Sequence, residues 1–193
     1  WVVNGVNMKE NVRKMVLCNG YRIVTKSMET VESVAIGLWV AAGSRDEAPH
    51  ERGIAHFVEH MLFKGTERRP SPKIIADEMD QIGGYLNAFT DKEYTCYYAR
   101  VRDQDLPMAV AVLADMFTSS ALDPEEFESE RGVILEELAM ADDDPSDVVS
   151  ERFFEAVFGD HELGRPIGGN TESIAAVTRD AVWDHYRANY RPQ

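Results

Sequence analysis

The chain has 193 residues, 44% of them apolar and 28% charged, enough to bury a core and too apolar for wholesale disorder. A formal net charge of −14 argues against a nucleic-acid partner, because phosphate binding needs a basic face. No apolar run approaches the roughly 18 residues that a membrane span requires, so a membrane partner is not expected. The charge is unevenly placed: residues 123–160 carry 14 acids against Arg131 and Arg152, leaving the remainder nearly balanced. That segment is either a solvated helical face or a negative surface that draws cationic ligands.

The opening, WVVNGVNMKENVRK, starts with Trp1 and has no signal-peptide apolar run. Residues 1–14 are read as an N-terminal extension, part of it added to the natural sequence, and 15–193 as one domain. Asn19-Gly20, between Val16-Leu17-Cys18 and Tyr21–Lys26, fits the favoured two-residue hairpin turn. Ser33–Ala42 is almost continuously apolar and predicts a central strand buried on both faces. A helical pattern follows over Gly53–Phe63. Ser71-Pro72 opens a second helix that ends near Gly83-Gly84. Tyr85–Thr90 and Glu93–Val101 read as strands joined by a tight Asp91-Lys92 turn.

The rest is helical in pattern. Apolar spacing marks Asp105–Ser120, and Asp123-Pro124 supplies an N-cap and first helical position for a helix to about Ala141. Pro145–Phe158 is a further helix, and Thr178 caps a last one bearing Val182, Trp183 and Tyr186. Strands, many of them antiparallel, with helices massed beside them predict an α+β domain, a mostly antiparallel sheet packed against several helices.

Within the first helix, His56, Glu59 and His60 form the array His-x-x-Glu-His, the inverzincin motif. Histidines four apart project from one helical face and can share a metal ion, while Glu59 can reach a water beside it. Two histidines on a polar helix face without metal are the plainer alternative. A catalytic zinc needs a third protein ligand. The helix over 123–141 offers Glu130 and Glu137, seven residues apart and nearly aligned after two turns; the neighbouring Glu136 points about 100° away.

Seventy-six residues separate His60 from Glu137. With that spacing the chain resembles the pitrilysin-type inverzincin peptidases, in particular the branch of mitochondrial processing peptidase and its bacterial relatives. Further segments resemble family signatures in the family's order: Gly43–Glu47, Phe63-Lys64-Gly65-Thr66, Gly84-x-x-Asn87-Ala88-x-Thr90, Glu130–Ile134 and Leu163–Ile167. The resemblance implies one zinc per chain on His56, His60 and Glu137, with Glu59 as general base and Glu130 supporting a ligand imidazole. It implies peptide bound as an added strand at Asn87, Ala88 and Thr90, where a plain strand is the alternative. Phe63 matches a position lining a prime-side pocket, or is a core phenylalanine. Asp147 and Glu151 match two acids that hold an arginine near the cut bond, or belong to the solvated acidic face.

The implied function is a zinc metalloendopeptidase cleaving extended peptides. The alternative is a non-catalytic partner subunit of the same fold, although such relatives usually lose motif residues that are all present here. Members of the branch are about twice this length, with a second half that helps hold substrate. The chain therefore reads as an N-terminal half, inactive or nearly so alone, from an enzyme that acts as a dimer or heterodimer. Two cysteines, Cys18 and Cys96, make no disulfide framework and suit a reducing compartment; the resemblance implies the cytoplasm of a bacterium or, alternatively, the mitochondrial matrix.

Two other motifs fail. Gly164–Thr171 is glycine-rich but lacks a P-loop lysine, and Asp142-Asp143-Asp144 lacks the later residues of a calcium loop.

Overall fold

A computed structural model describes residues 11–192. The first ten residues of the expected N-terminal extension therefore lie outside the described residues. Residues 12–14 begin a strand, β1 (Val12–Val16), which pairs antiparallel with β2 (Arg22–Lys26). Their connection is not a two-residue turn. The Leu17 carbonyl accepts from the Gly20 amide, and the Leu17 amide donates to the Tyr21 carbonyl. Cys18-Asn19-Gly20 thus form a three-residue loop whose last position, at φ 93°, needs glycine.

The main sheet contains β3 (Ser33–Val40), β4 (Tyr85–Thr90) and β5 (Thr95–Arg102), in the antiparallel order β3-β5-β4. The expectation of a central, doubly buried strand at residues 33–42 is wrong: among the described residues β3 lies at a sheet edge, and it alternates between half-buried and exposed positions up to the buried Val40. Its inner row, Leu38 beside Tyr97 and Ala88, faces the core. Its outer row, Trp39 beside Cys96 and Phe89, faces outward, with Trp39 and Phe89 meeting edge to face at 6.1 Å. Trp39 is exposed because an apolar run does not show which of its faces is covered. The β4–β5 connection is also longer than a tight pair, running Asp91–Tyr94 and closed by the Asp91 amide on the Tyr94 carbonyl.

Seven α-helices lie among the described residues, four of them starting at the capping residue beside a local sequence signal. They are α1 (Ile54–Leu62), α2 (Pro72–Gln81), α3 (Leu106–Ser119), α4 (Pro124–Asp143), α5 (Pro145–Phe158), α6 (Thr171–Ala176) and α7 (Arg179–Asn189). Ser71, Asp123, Asp144 and Thr178 cap α2, α4, α5 and α7 through their side-chain oxygens. The short α6, capped by Asn170, begins at the end of the glycine-rich segment that the sequence leaves unassigned.

The core lies between the sheet's inner face and α1, α3, α4 and α7. Six of the nine α1 residues are buried, among them Phe57, which stacks on Phe127 of α4 with ring centroids 4.6 Å apart. On α4 the inward stripe is Phe127, Glu130 and Ile134, continued by Glu137 at helical spacing. Packing of α1 on α4 therefore places the histidine face of one helix against the glutamate face of the other.

Candidate active site

Helix α1 starts at Gly53, in the left-handed region at φ 87°, and has no capping side chain of its own. The buried Glu47 carboxylate supplies the cap, accepting from the amides of Gly53 at 2.8 Å and Ala55 at 2.9 Å. Burial outweighs those bonds and pushes the Glu47 carboxyl up to about 7. Gly53 lies tight against the 164–171 loop, since a Cβ there would come within 2.5 Å of the Gly168 carbonyl. The helix start, and with it His56, is fixed from two sides.

One turn further on, His60 lies beside His56, their Nε2 atoms 3.1 Å apart. The Glu137 Oε2 atom is 3.4 Å from His60 Nε2 and 3.9 Å from His56 Nε2. Three donor atoms from two helices thus converge, as ligands about 2 Å from one tetrahedral ion must. His60 Nδ1 donates to Glu130 Oε1 at 2.8 Å, which leaves the Nε2 lone pair facing the convergence point. The His56 Nδ1 atom is buried with no hydrogen-bond partner among the described residues. Burial, reinforced by the neighbouring His60, lowers the His56 pKa to about 4, so this imidazole is a neutral donor. Two imidazoles and a carboxylate, with one side open to a cavity, suit zinc well.

Burial opposes a charged His60, yet the Glu130 hydrogen bond and the nearby carboxylates outweigh it and raise its pKa. Burial similarly opposes an ionised Glu130, which is 4% exposed, but bonds from His60 and Lys64 hold it below the usual carboxylate range. Glu59 is half-buried, and burial raises its pKa. Its Oε2 accepts a 2.5 Å hydrogen bond from the Thr90 hydroxyl at the end of β4. These groups surround a cavity of about 490 Å³ lined by His56, Glu59, His60, Phe63, Glu130 and Glu137, with Lys64, Leu86 and Asn87 at its sides.

The structure gathers most of the sequence-derived candidates there. Phe63 ends α1, half-buried, and lines both this cavity and a neighbouring one of about 330 Å³ between α2 and β4. Asn87 is exposed on β4, and Ala88 is buried on its inner side. Among the described residues β4 pairs only with β5, so its outer edge is open beside the cavity. Asp147 and Glu151 are not gathered in. They lie on α5, exposed and outside the cavity lining, where Lys92 already neighbours Glu151. Glu136 is exposed and outside the donor cluster.

Comparison with known proteins then fixes the lineage. The profile of Insulinase (Peptidase family M16) matches residues 22–171. The chain belongs to this family. It is 47% identical over 191 residues to an uncharacterized zinc protease of Streptomyces coelicolor, covering 99% of this chain and 41% of that protein. Among solved structures, a protease from Helicobacter pylori superposes with a TM-score of 0.89 at 26% identity, over 94% of this chain and 44% of that one. Pitrilysin does so with a TM-score of 0.80 at 28% identity, over 93% of this chain and 20% of that one. The α+β fold is that of M16 peptidases, and the chain spans about two fifths of the length of the curated relatives it matches.

Three contacts of the site, made by Lys64, Thr90 and Glu47, are not marked by the sequence reading. Lys64 stands four residues after His60, as His60 does after His56, so a helical stripe was available to flag it. Thr90 and Glu47 stand in segments that resemble family signatures, Thr90 with an expected peptide-binding role, but no spacing marks their contacts, because their partners lie 31 and at least 6 residues away across turns.

Proposed function

We propose that the chain is the zinc-binding part of a metalloendopeptidase that cleaves extended peptides. The observation that carries this reading is the convergence of His56 Nε2, His60 Nε2 and Glu137 Oε2 beside Glu59, next to the open edge of β4. The relatives' name, zinc protease, supports it. When bound there, zinc supplies Lewis acidity toward a carbonyl and a water.

The remaining steps belong to the protein. Among the described residues no strand covers the outer edge of β4, and the Ala88 amide there donates only to the Asn87 side chain at 2.8 Å, so a peptide docks as an added strand with little demand on its side chains. Glu59, desolvated and held by Thr90, takes the proton of the attacking water and passes one to the leaving amine. Glu130 holds His60 in the tautomer that presents Nε2. Phe63 gives the cavity an apolar wall on the side leading to the second hollow. Asp147 and Glu151, four apart on α5, form an outlying anionic pair for a basic substrate residue. The activity itself is that of the longer protein, in which a second half closes over the peptide and excludes water.

Two measurements test this. Metal analysis of the chain should give one zinc, lost on substitution of Glu137. In the full-length protein Glu59→Gln should keep zinc and lose peptide hydrolysis. Zinc bound without any hydrolysis by the full-length parent would turn the reading toward a non-catalytic partner subunit.

A further inference from the structure

Lys64 follows the end of α1, where the chain continues in a turn closed by the Lys64 amide on the Met61 carbonyl at 3.1 Å. The turn carries its side chain back along the histidine stripe, and the ammonium meets Glu130 Oε2 in an ion pair. Its side chain is 21% exposed and that of Glu130 only 5%. The two oxygens of Glu130 are thus divided: Oε1 takes the His60 Nδ1 proton at 2.8 Å, and Oε2 takes Lys64. A buried carboxylate pinned at one oxygen by His60 alone can rotate about its terminal torsion, which is broad for glutamate. Pinned at both oxygens, it has one orientation.

Charge points the same way. Glu59, Glu130 and Glu137 bring three negative charges to a half-buried cavity, and among the described residues Lys64 is the one ammonium lining it. With a divalent cation present the set sums to zero, which a low-dielectric site favours over a net charge.

We propose that Lys64 is a positioning residue of the metal centre: it locks Glu130 so that His60 keeps its proton on Nδ1 and aims Nε2 at the ion. The inference rests on the zinc reading for its consequence but not for its geometry, so the two can fail separately. Lys64→Met keeps the length of the stem and removes the ammonium. Charge alone predicts that this variant binds zinc more tightly, since a cation has been taken away. The positioning role predicts the reverse, a loss of roughly three- to tenfold in affinity, below the tenfold or more expected for direct removal of a ligand's hydrogen-bond partner.

The test is a double-mutant cycle on the 193-residue chain, with zinc affinity measured by chelator competition. Lys64→Met should weaken zinc when Glu130 is present and have no further effect in a Glu130→Gln background. Lys64→Arg, which keeps a cation for Glu130, should restore most of the affinity. A second readout needs no metal: ¹⁵N NMR of the metal-free chain, with the pH raised until the His60 ring nitrogens report the neutral form, since against burial the nearby carboxylates raise its pKa. There His60 should show a single Nδ1–H tautomer in the parent and a tautomer mixture in Lys64→Met. Unchanged or tighter zinc binding in Lys64→Met, or an equal loss with and without Glu130, overturns the proposal. A His60 tautomer unaffected by Lys64→Met overturns it as well. If the parent binds no zinc, the zinc reading falls, and the tautomer decides the role of Lys64 on its own.

Discussion

Helices α1 and α5 use the same sequence device, two functional groups four residues apart, and end in different places. His56 and His60 sit on a helix with six of nine residues buried, capped by Glu47 and stacked through Phe57 on α4. Asp147 and Glu151 sit on a helix of 14 residues with none buried, whose Val149, Phe153 and Val157 all face outward. The first pair meets Glu137 and Glu130 at contact distance, whereas around Glu151 of the second lie Lys92, Arg152 and the acids Asp142 and Asp147. Spacing brings two groups to one face of a helix. Only packing of that helix brings the face to its partners.

The largest effect that would break this contrast is chemical. Glu59→Gln in the full-length protein should reduce kcat by about 10²–10⁴ with zinc retained, because it removes the base and leaves the ligands. Near-parent turnover in a peptide cleavage assay would remove Glu59 from the mechanism. Next comes the packing. Phe127→Ala should cost about 3–5 kcal/mol of stability and weaken zinc, since it empties the α1–α4 contact. Phe153→Ala on α5, 61% exposed, should stay within about 0.5 kcal/mol. Denaturant unfolding of the two variants reads the difference directly, and equal losses would mean that α5 is packed after all.

Thr90 sharpens the comparison within the site. Thr90→Val removes a hydrogen bond to a carboxylate, and a loss of roughly ten- to a hundredfold in kcat is expected, with zinc unchanged and with Thr90→Ser restoring the rate. Glu47 gives a smaller, pH-dependent effect. Its folded pKa of about 7 lies above the ordinary value of 4.5, so the folded state binds the proton more tightly. The stability it contributes is therefore full below about pH 4.5 and is lost as pH rises through about 7. Unfolding curves across that window should slope downward in the parent and less steeply in Glu47→Gln. The smallest effect belongs to α5. Asp147→Asn with Glu151→Gln should lower the preference for an arginine-containing peptide over its alanine counterpart by a fewfold at most, because exposed acids hold cations weakly. An unchanged kcat/KM ratio would leave the acidic face a purely solvating one.

Legibility from sequence divided along the same line. The starts of α2, α4, α5 and α7 were readable because Ser71, Asp123, Asp144 and Thr178 act on amides two or three residues away. The donor set of His56, His60 and Glu137 was readable only as spacing within each helix, and the contact between the helices came through resemblance. β3 was misread because Ala35, Gly37 and Trp39 look apolar whether or not anything covers them. The Asn19-Gly20 turn was misread because glycine in the left-handed region serves both a two-residue turn and the bulge that closes a longer loop. Thr90 and Glu47 make bonds that depend on how the turns after β4 and β3 fold back, which no local pattern encodes, whereas Lys64 continues the spacing of the two histidines.

The β1–β2 ribbon has a consequence for time rather than for place. All five β2 residues are exposed, with Val24 63% exposed, and a two-stranded hairpin without a covered face is marginal in water. Its amides can exchange with solvent by local opening, without waiting for the α1–α4 core to unfold. Deuterium should therefore enter Val12–Val16 and Arg22–Lys26 long before it enters Ile54–Leu62, and destabilising the core should leave the hairpin's exchange rate where it was.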